Sequence, residues 1–573
     1  MSNNYGKISS FIWNVCDDVL RGMFKQHEYG DVILPFTVLR RLDCVLESQK
    51  DEVVNLYNEY KEKVDDPTPI ILSKVKSTFF NYSKYDLNRL KSDPQNIHRN
   101  FQNYLGGFSE NVVDIIENFG FEKPVEKLNK NNRLYQLIDK FTEIDLHPDK
   151  ISNHEMGTVF EELLRKFSEM SNETSGEHYT PRDVVRLLVS LVFSPDKDDL
   201  QGEGKVRSIF DPCCGTGGML TIGKEYIHEN INPNVELRLL GQELNSQTYS
   251  ICKSDMLISG GDPNNIKGPV SSLSDDQFQS DRFDYLITNP PFGVSWKSEK
   301  EFIEEEKSNP QGRFSVGTPR TSDGSLLFLQ HMISKMEVKG SRIGIIFNGS
   351  PLFSGDSGSG ESEIRRWIIE HDLLEGIVSL PDKLFFNTGI STYLWIISNK
   401  KNSHRKGLIQ LINGESFFKV SKKKLGEKRK EITDIHREKL LEIYHKFEDS
   451  EFCKIHPNEF FGYTKVTIEQ PLKDEIGGDF ITDRSGIPKP DSKKRDYERV
   501  PLMEDIDKYF QREVKPHLPE SWMDRNKDKV GYEINFTKYF YTYKPLRSIK
   551  EITDEILNID KDLENLQSEI LDI

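Results

Sequence analysis

The sequence lacks long apolar runs, a cysteine framework and an excess of positive charge. No stretch approaches the roughly 18 consecutive apolar residues of a membrane helix, and the first residues are polar, so we expect neither a membrane span nor an export signal. The six cysteines form no CxxC pair, which is typical of reduced thiols in a cytoplasmic protein. The histidines show no HExxH or zinc-ligand spacing, so we expect no metal site.

The charge balance of the chain is acidic. It carries 77 Lys and Arg residues against 93 Asp and Glu residues, a formal net charge of −16. This excludes a small, uniformly basic nucleic-acid-binding protein and predicts weak non-specific binding of DNA by the chain alone. Nucleic acid stays open as a substrate, because phosphate contacts need only a local basic patch.

The apolar pattern divides the chain into three regions. Residues 1–170 have apolar residues at helical spacing and predict an α-helical domain. Residues 171–415 predict an α/β domain, a mainly parallel sheet with helices on both faces, whose ligands lie beyond the carboxyl ends of the strands. Its predicted strands are 206–210, 235–241, 283–288, 343–347, 376–380 and 393–397. Residues 416–573 are polar and predict a helical C-terminal region.

A glycine-rich segment follows the first predicted strand. It reads Asp211-Pro212-Cys213-Cys214-Gly215-Thr216-Gly217-Gly218, and its glycines allow a sharp turn close to a ligand. A dinucleotide fingerprint would need glycine in place of Leu220, and a phosphate-binding loop starting at Gly218 would need Ser or Thr in place of Glu225. We therefore interpret the segment as a site for an adenosine-bearing cation.

Two residues at the end of the second predicted strand support this interpretation. Glu243 stands where a carboxylate can accept hydrogen bonds from both ribose hydroxyls, and Leu244 beside it can cover the flat face of an adenine ring. Glu243 taken alone would also fit a solvated helix cap. The glycine-rich segment upstream favours the ligand site.

The segment Asn289-Pro290-Pro291-Phe292 directly follows the strand 283–288. An ordinary strand-ending turn is the alternative, since Asn-Pro is common in turns. The residue types also suit chemistry on the exocyclic amine of adenine, whose lone pair is delocalised into the ring. The Asn289 side-chain oxygen and the Pro290 carbonyl can accept its two N–H groups, and Pro291 biases Pro290 to an extended conformation. Phe292 offers a face for stacking, so positioning and electrostatics lower the barrier without a carboxylate base.

Together these segments resemble the amino-methylating class of S-adenosylmethionine-dependent DNA methyltransferases. More narrowly, nearly the whole chain resembles the modification (HsdM-type) subunit of a type I restriction–modification system. The resemblance implies a class I methyltransferase fold, a mainly parallel seven-stranded sheet between a helical N-terminal domain and a helical tail. It also implies S-adenosylmethionine as cofactor, held by Asp211, Cys213, Gly215, Thr216, Gly217, Glu243 and Leu244.

Two further segments carry the resemblance. Residues 176–182 resemble the cofactor-closing segment of the family, which adds Glu177, His178, Tyr179, Thr180, Pro181 and Arg182 to the expected cofactor site. Residues 380–390 resemble a late catalytic-domain motif, in which Phe385 or Phe386 contacts the flipped base. Residues 268–273 depart from the pattern, because they include Pro269 and lack the acidic residue that related enzymes often carry near the cofactor adenine.

The resemblance implies site-specific methylation of adenine N6 in double-stranded DNA. The catalytic turn would be Asn289, Pro290, Pro291 and Phe292, and the target base would be flipped out of the duplex. The family forms complexes of two modification subunits with one DNA-specificity subunit, which a restriction–translocation subunit can join. Two alternatives stay open: a protein-glutamine or RNA-adenine methyltransferase with a similar turn, and a catalytically idle DNA-assembly scaffold.

Three segments have two interpretations each. The heptad-spaced apolar residues of 549–573 predict a terminal helix that packs either on its own domain or, as we favour, on the specificity subunit. The polar stretch 297–324 predicts a mobile DNA-facing loop or a disordered surface insertion. The basic cluster 419–430 predicts phosphate binding or a solvated face that balances nearby acids.

Overall fold

The computed structural model describes residues 4–171, 180–386, 389–474, 479–541 and 548–571. The chain forms two compact units, Met1–Ile534 and Asn535–Ile573. The larger unit begins with helices α1 (Asn4–Val15), α2 (Gly30–Leu46), α3 (Lys50–Tyr60), α4 (Thr68–Val75), α5 (Leu87–Leu90), α6 (Ile97–Leu105), α7 (Glu110–Asn118), α8 (Glu122–Lys130), α9 (Leu134–Thr142) and α10 (Asn153–Ser171). The helical pattern predicted for residues 1–170 is therefore present.

Helix α2 forms the centre of this helical region. Almost all of its residues are buried, as expected for a helix surrounded by others. The ring of Phe36 lies within 5.0–5.6 Å, centroid to centroid, of the rings of Phe101, Phe121 and Phe141. These aromatic contacts join α2 to the helices on either side.

A central sheet follows, and its strands include all six predicted ones. They are β1 (Val206–Asp211), β2 (Glu236–Gln242), β3 (Ile266–Lys267), β4 (Tyr285–Thr288), β5 (Arg342–Asn348), β6 (Leu374–Ser379), β7 (Thr392–Ser398) and β8 (Leu408–Asn413). A hairpin of β9 (Lys419–Leu425) and β10 (Lys428–Glu431) precedes β11 (Cys453–Pro457), which returns to the sheet.

The strand order is β11-β8-β6-β7-β5-β4-β1-β2-β3. Strand β7 is antiparallel to β5 and β6, while the pairs among β1 to β5 are parallel. The expected mainly parallel seven-stranded sheet is thus present, with β8 and β11 added at one edge. The order reverses between β1 and β4, and such a switch point opens a ligand crevice at the carboxyl ends of the strands.

Helices cover both faces of the sheet. The helices of this region are α11 (Arg182–Phe193), α12 (Gly218–Asn230), α13 (Ser246–Ile258), α14 (Lys300–Ser308), α15 (Ser325–Ser334), α16 (Ser350–Phe353), α17 (Gly360–Glu370) and α18 (Asp434–Lys446). Neighbouring strand residues point to opposite faces. Ile209 of β1 packs with α11 and α12, whereas the ring of Phe210 lies against those of Phe283 and His331, the latter on α15.

The prediction of a helical region from residue 416 is wrong for most of its length. Beside α18 and α19 (Ile506–Tyr509), the region forms the β9–β10 hairpin and a second sheet, in which β12 (Gly462–Glu469) pairs with β13 (Asp496–Pro501), β14 (Trp522–Met523) and β15 (Lys529–Tyr532). Lysine is depleted in strands, so the basic run concealed the hairpin. The β-branched residues Thr464, Val466 and Ile468 occupy every second position, a pattern that predicts the strand β12.

The smaller unit contains α20 (Phe536–Phe540) and α21 (Ile549–Leu571). The second helix confirms the predicted terminal helix. Its apolar residues are about half exposed: Ile552, Ile556, Ile559, Leu563 and Leu566. Among the residues described, no helix has the length and apolar character needed to cross a membrane.

Candidate active site

The glycine-rich segment forms a tight loop between β1 and α12. Gly215 (φ +53°) and Gly217 (φ +84°) adopt backbone conformations that favour glycine, and Gly217 caps the N-terminus of α12. A Cβ atom at Gly217 would lie 2.8 Å from Sγ of Cys252 on α13. The loop therefore packs so closely on α13 that a side chain at position 217 is excluded.

Asp211 lies at the end of β1 below this loop and is 1% exposed. Its Oδ1 accepts hydrogen bonds from the Thr288 hydroxyl (2.6 Å) and the Cys213 amide (2.9 Å). Burial raises the pKa of Asp211 to about 7, and these two hydrogen bonds oppose the shift. The hydrogen bond with Thr288 joins the end of β1 to the end of β4. The pKa of about 7 means that Asp211 changes its charge near neutral pH.

Glu243 follows β2 and reaches back to the glycine-rich loop. Its Oε2 accepts a hydrogen bond from the Gly215 amide (2.7 Å), and its Oε1 accepts one from the Asn245 amide (2.8 Å). Burial raises the pKa of this carboxyl. Leu244 beside it is 66% exposed, an unusual placement for a leucine that suits an apolar contact with a ligand.

Asn289 follows β4 and faces a segment from before the sheet. Its Nδ2 donates a hydrogen bond to Oγ1 of Thr180 at 2.8 Å. Phe292 is 7% exposed, and its ring meets the ring of Phe385 edge to face at 6.3 Å. The turn and the 380–390 segment are thus in contact through two buried aromatic rings.

A cavity of about 660 Å³ lies at this edge of the sheet. Its walls include Glu161, Thr180, Asp211, Cys213, Gly215, Thr216, Glu243, Leu244, Val270, Asp275, Asn289, Pro291, Trp296, Glu299 and Phe328. Five of the described lining residues are acidic, and none is Lys, Arg or His. Such a wall favours a cationic ligand over an anionic one.

Most of the predicted site residues meet at this cavity. Thr180, Asp211, Cys213, Gly215, Thr216, Glu243, Leu244, Asn289 and Pro291 line it. Pro181, Arg182, Gly217, Pro290 and Phe292 are not among the lining residues: Pro181 and Gly217 cap helices, and Pro290 and Phe292 are buried beside the wall. Glu177, His178 and Tyr179 lie outside the described residues.

Several parts of the wall were not predicted from the sequence. Glu161 comes from α10 in the helical N-terminal region, and no local motif marks it. Residues 270–275 also line the cavity, as do Val294, Ser295, Trp296, Ser298 and Glu299. There Glu299 accepts hydrogen bonds from the hydroxyls of Ser271 and Ser274, the second at 3.1 Å. Residues 268–273 lack the acidic residue that related enzymes often carry near the cofactor adenine. Glu299 and Asp275 supply acidic groups beside this segment.

The stretch 297–324 is folded, contrary to both interpretations offered for it. It contains α14, and Ile303 and Phe314 are buried with Trp296 in one apolar cluster. The indole nitrogen of Trp296 donates to the Arg320 carbonyl (3.0 Å). The charged residues of this stretch cover that cluster, which explains why the sequence reads as a polar loop.

The basic cluster 419–430 forms the β9–β10 hairpin. The Lys428 ammonium is 2.9 Å from Oδ1 of Asp183, and Lys430 pairs with Asp382. These two lysines balance nearby acids, as the second interpretation expected, but Lys428 is buried and does not belong to a solvated face.

Comparison with known proteins gives consistent matches. A family model described as N-6 DNA methylase matches residues 151–461, more than half of the chain, and one described as the HsdM N-terminal domain matches residues 8–141. The MjaIX methylase subunit of a type I restriction enzyme from Methanocaldococcus jannaschii is 28% identical over 479 residues, 81% of each chain. The MjaVII methylase subunit from the same organism is 28% identical over 61% of this chain. This match covers 58% of the MjaVII subunit, which is less than two thirds of that protein's length.

A solved structure shares the fold. The type I restriction-modification system methyltransferase subunit from Streptococcus thermophilus superposes with a TM-score of 0.62, covering 80% of this chain and 97% of that one at 21% identity. At this identity the likeness shows the fold alone. With the strand order, it confirms the expected class I methyltransferase fold.

Proposed function

Because the chain belongs to the N-6 DNA methylase family, we propose that it transfers a methyl group to the N6 amine of adenine at specific sites in double-stranded DNA. One observation carries the proposal: the glycine-rich loop, Glu243 and Asn289 line a single cavity at the switch point of the sheet. The matched family is one of DNA methylases, which favours DNA over a protein glutamine or an RNA adenine as the substrate.

The cavity fits S-adenosylmethionine as the methyl donor. Its five carboxylates and the absence of a cationic side chain among the described lining residues suit a ligand with a net positive charge. Glu243 would accept the ribose hydroxyls, Leu244 would cover the adenine, and the loop at Gly215 would lie along the methionine moiety. When bound, the cofactor supplies an electrophilic methyl group on its sulfonium.

Asn289 and Pro290 would make the adenine amine reactive. The hydrogen bond from Nδ2 of Asn289 to Thr180 supports an orientation in which the amide oxygen would accept a hydrogen bond from the substrate. That oxygen and the Pro290 carbonyl would accept the two N–H groups of the amine and draw its lone pair out of the ring. Fixed dipoles of this kind lower a barrier because they need no reorganisation during the reaction.

The target adenine would reach this turn only after leaving the duplex. Phe292 would stack on the base, and Pro291 lines the cavity next to it. In the structure the ring of Phe292 already has an aromatic neighbour, since it meets Phe385 edge to face.

The chain would work as the modification subunit of a larger cytoplasmic complex. We expect two copies to bind one DNA-specificity subunit, with α21 as the docking helix, and a restriction–translocation subunit to join them. The net charge of −16 supports this division, since the partner would supply much of the base reading. The half-exposed apolar residues of α21 support a role in docking.

The test is methyl transfer by the chain together with the DNA-specificity subunit of the same system. We expect labelled methyl groups from S-adenosylmethionine to appear as N6-methyladenine at one duplex sequence. Asn289→Ala should lower the rate by roughly 100- to 1,000-fold, the usual cost of removing a transition-state hydrogen-bonding group, with little change in cofactor affinity.

The matched control is Asn264→Ala, an exposed asparagine after α13, which should leave the rate unchanged. Label in protein or RNA rather than in duplex DNA would contradict the proposed substrate. Full activity of Asn289→Ala would contradict the role of the turn.

A further inference from the structure

Among the described residues of the cavity wall, Glu161 is the one that comes from the helical N-terminal region. It sits in the middle of α10, and its side chain is 15% exposed. The neighbouring apolar residues Phe160, Leu163 and Leu164 are buried in the helical core. A carboxylate at the rim of such a core needs a polar partner, because burial penalises the charged form.

The partner that the structure provides is Arg182. Its Nη2 lies 3.4 Å from Oε1 of Glu161, while its Nη1 is 2.7 Å from Nδ1 of His154. A Cβ atom at Gly157 would lie 2.5 Å from Nη2, so a glycine at this position makes room for the guanidinium. Arg182 is not among the described lining residues, so it contacts Glu161 without forming part of the described cavity wall.

Glu161 and Glu243 stand at opposite ends of the glycine-rich loop. Glu243 binds the Gly215 amide at 2.7 Å. Oε1 of Glu161 lies 3.3 Å from the position that a Cβ atom would take at Gly218, the first residue of α12. The two carboxylates therefore lie beside the first and the last glycine of the stretch from Gly215 to Gly218.

This inference rests on the proposed function. With the ribose at Glu243, the amino-acid end of S-adenosylmethionine would extend toward Gly218. Its α-carboxylate suits the N-terminus of α12, where backbone amides favour an anion. We infer that Glu161 binds the α-ammonium group of the cofactor and so positions its methionine moiety, with Arg182 acting through Glu161.

The electrostatics of Glu161 agree with this role. Burial raises the pKa of Glu161, and Arg182 and His154 oppose the shift only in part. An ammonium group at the carboxylate would complete its charge compensation and favour the ionised form. A charge-assisted hydrogen bond of this kind is stronger than a neutral one.

The test compares three ligands by calorimetry on the full chain: S-adenosylmethionine, S-adenosylhomocysteine and methylthioadenosine. The first two carry the α-ammonium group, and the third lacks the amino-acid moiety. Glu161→Gln should weaken binding of the first two by roughly 10- to 100-fold and leave methylthioadenosine at its wild-type affinity. Glu162→Gln is the matched control, since Glu162 pairs with Lys166, and it should change none of the three.

Equal weakening of all three ligands would overturn the assignment, because it would point to a structural role of Glu161. Weakening of S-adenosylmethionine alone would also overturn it, since that would place the sulfonium at the carboxylate. Should Glu161→Gln fail to fold, Glu161→Asp is expected to weaken the same two ligands selectively. If the wild-type chain binds none of the three, the proposed function fails and this assignment fails with it.

Discussion

The side-chain amide of Asn289 donates a hydrogen bond to the hydroxyl of Thr180, 109 positions earlier in the chain, at 2.8 Å. Thr180 immediately precedes the residue that caps α11, and Asn289 follows β4. The contact joins the segment expected to close over the cofactor to the turn expected to bind the target amine. Both residues line the same cavity.

Removing the Thr180 hydroxyl should slow methyl transfer. Thr180→Val keeps the shape of the side chain and loses the acceptor for Nδ2 of Asn289, so the amide is no longer held in one orientation. We expect kcat to fall by about tenfold, the loss of a hydrogen bond of ordinary strength. Thr180→Ser retains the hydroxyl and should keep most of the activity. Equal rates of the two variants would show that the hydroxyl has no positioning role.

Asp211 should make the stability of the cofactor-free protein depend on pH. Its pKa of about 7 in the folded chain lies above the ordinary value of 3.8. The folded state therefore binds the proton more tightly, and this contribution, a few kcal/mol, is fully present below pH 3.8 and is lost as the pH rises through 7. Asp211→Asn should reduce the fall in Tm between pH 5 and pH 7.5.

The exposed residue Asp198 provides the control for this pH dependence. Asp198→Asn should leave the wild-type difference in Tm between the two pH values unchanged. Other buried carboxyls with raised pKa values, such as Asp43 and Asp255, contribute equally to all three proteins. A wild-type pH profile in Asp211→Asn would contradict the assigned pKa.

Gly217→Ala should destabilise the protein more than an alanine at another left-handed glycine. Gly204 has φ +69° and open space around it, whereas Gly217 has φ +84° and Sγ of Cys252 at 2.8 Å from the Cβ position. Both substitutions bring backbone strain of about 1–2 kcal/mol, and only Gly217→Ala adds an overpacking cost of about 1–3 kcal/mol. Thermal melting of the two variants measures the difference.

Replacing Cys252 with alanine in the Gly217→Ala variant separates the overpacking cost from the cost of backbone strain. The double variant should regain the stability lost to overpacking and should still lack the stability lost to backbone strain. A Tm of the double variant no higher than that of Gly217→Ala would show that Cys252 is not the obstacle.

Charges on the apolar side of α21 should prevent assembly. Ile556 and Leu563 lie on the heptad-spaced side of the helix and are about half exposed. Replacing both with aspartate should abolish co-purification with the specificity subunit while the chain still binds S-adenosylmethionine. Leu557→Asp is the matched control, because Leu557 is equally exposed but lies about 100° away around the helix. Loss of assembly in the control would indicate helix unfolding instead.

The sequence predicted the parts of the site that come from contiguous segments. Asp211 to Gly217, Glu243 and Asn289 each follow a strand, and parallel strands bring their carboxyl ends to one edge. Glu161 could not be predicted, because its place in the wall depends on how α10 packs. The burial of Phe292 against Phe385 likewise depends on two segments far apart in the chain.

The difference between local and long-range contacts also explains where the predictions of the fold were wrong. The strands of the central sheet are buried apolar runs, which are visible locally. In the β9–β10 hairpin, Lys428 and Lys430 pair with Asp183 and Asp382, so the placement of its strands depends on partners elsewhere in the chain. The segment with α14 contributes only Trp296, Ile303 and Phe314 to a core, too few to give a periodic pattern.

The two edges of the central sheet limit how copies of this chain can associate. Strand β3 at one edge is only two residues long, and β11 at the other ends at Pro457, which has no amide hydrogen to donate. Short or proline-terminated edges resist intermolecular strand pairing. Crowded molecules of this protein should therefore resist edge-to-edge aggregation at the central sheet, and their reversible contacts should involve side chains instead of a continuous backbone ladder.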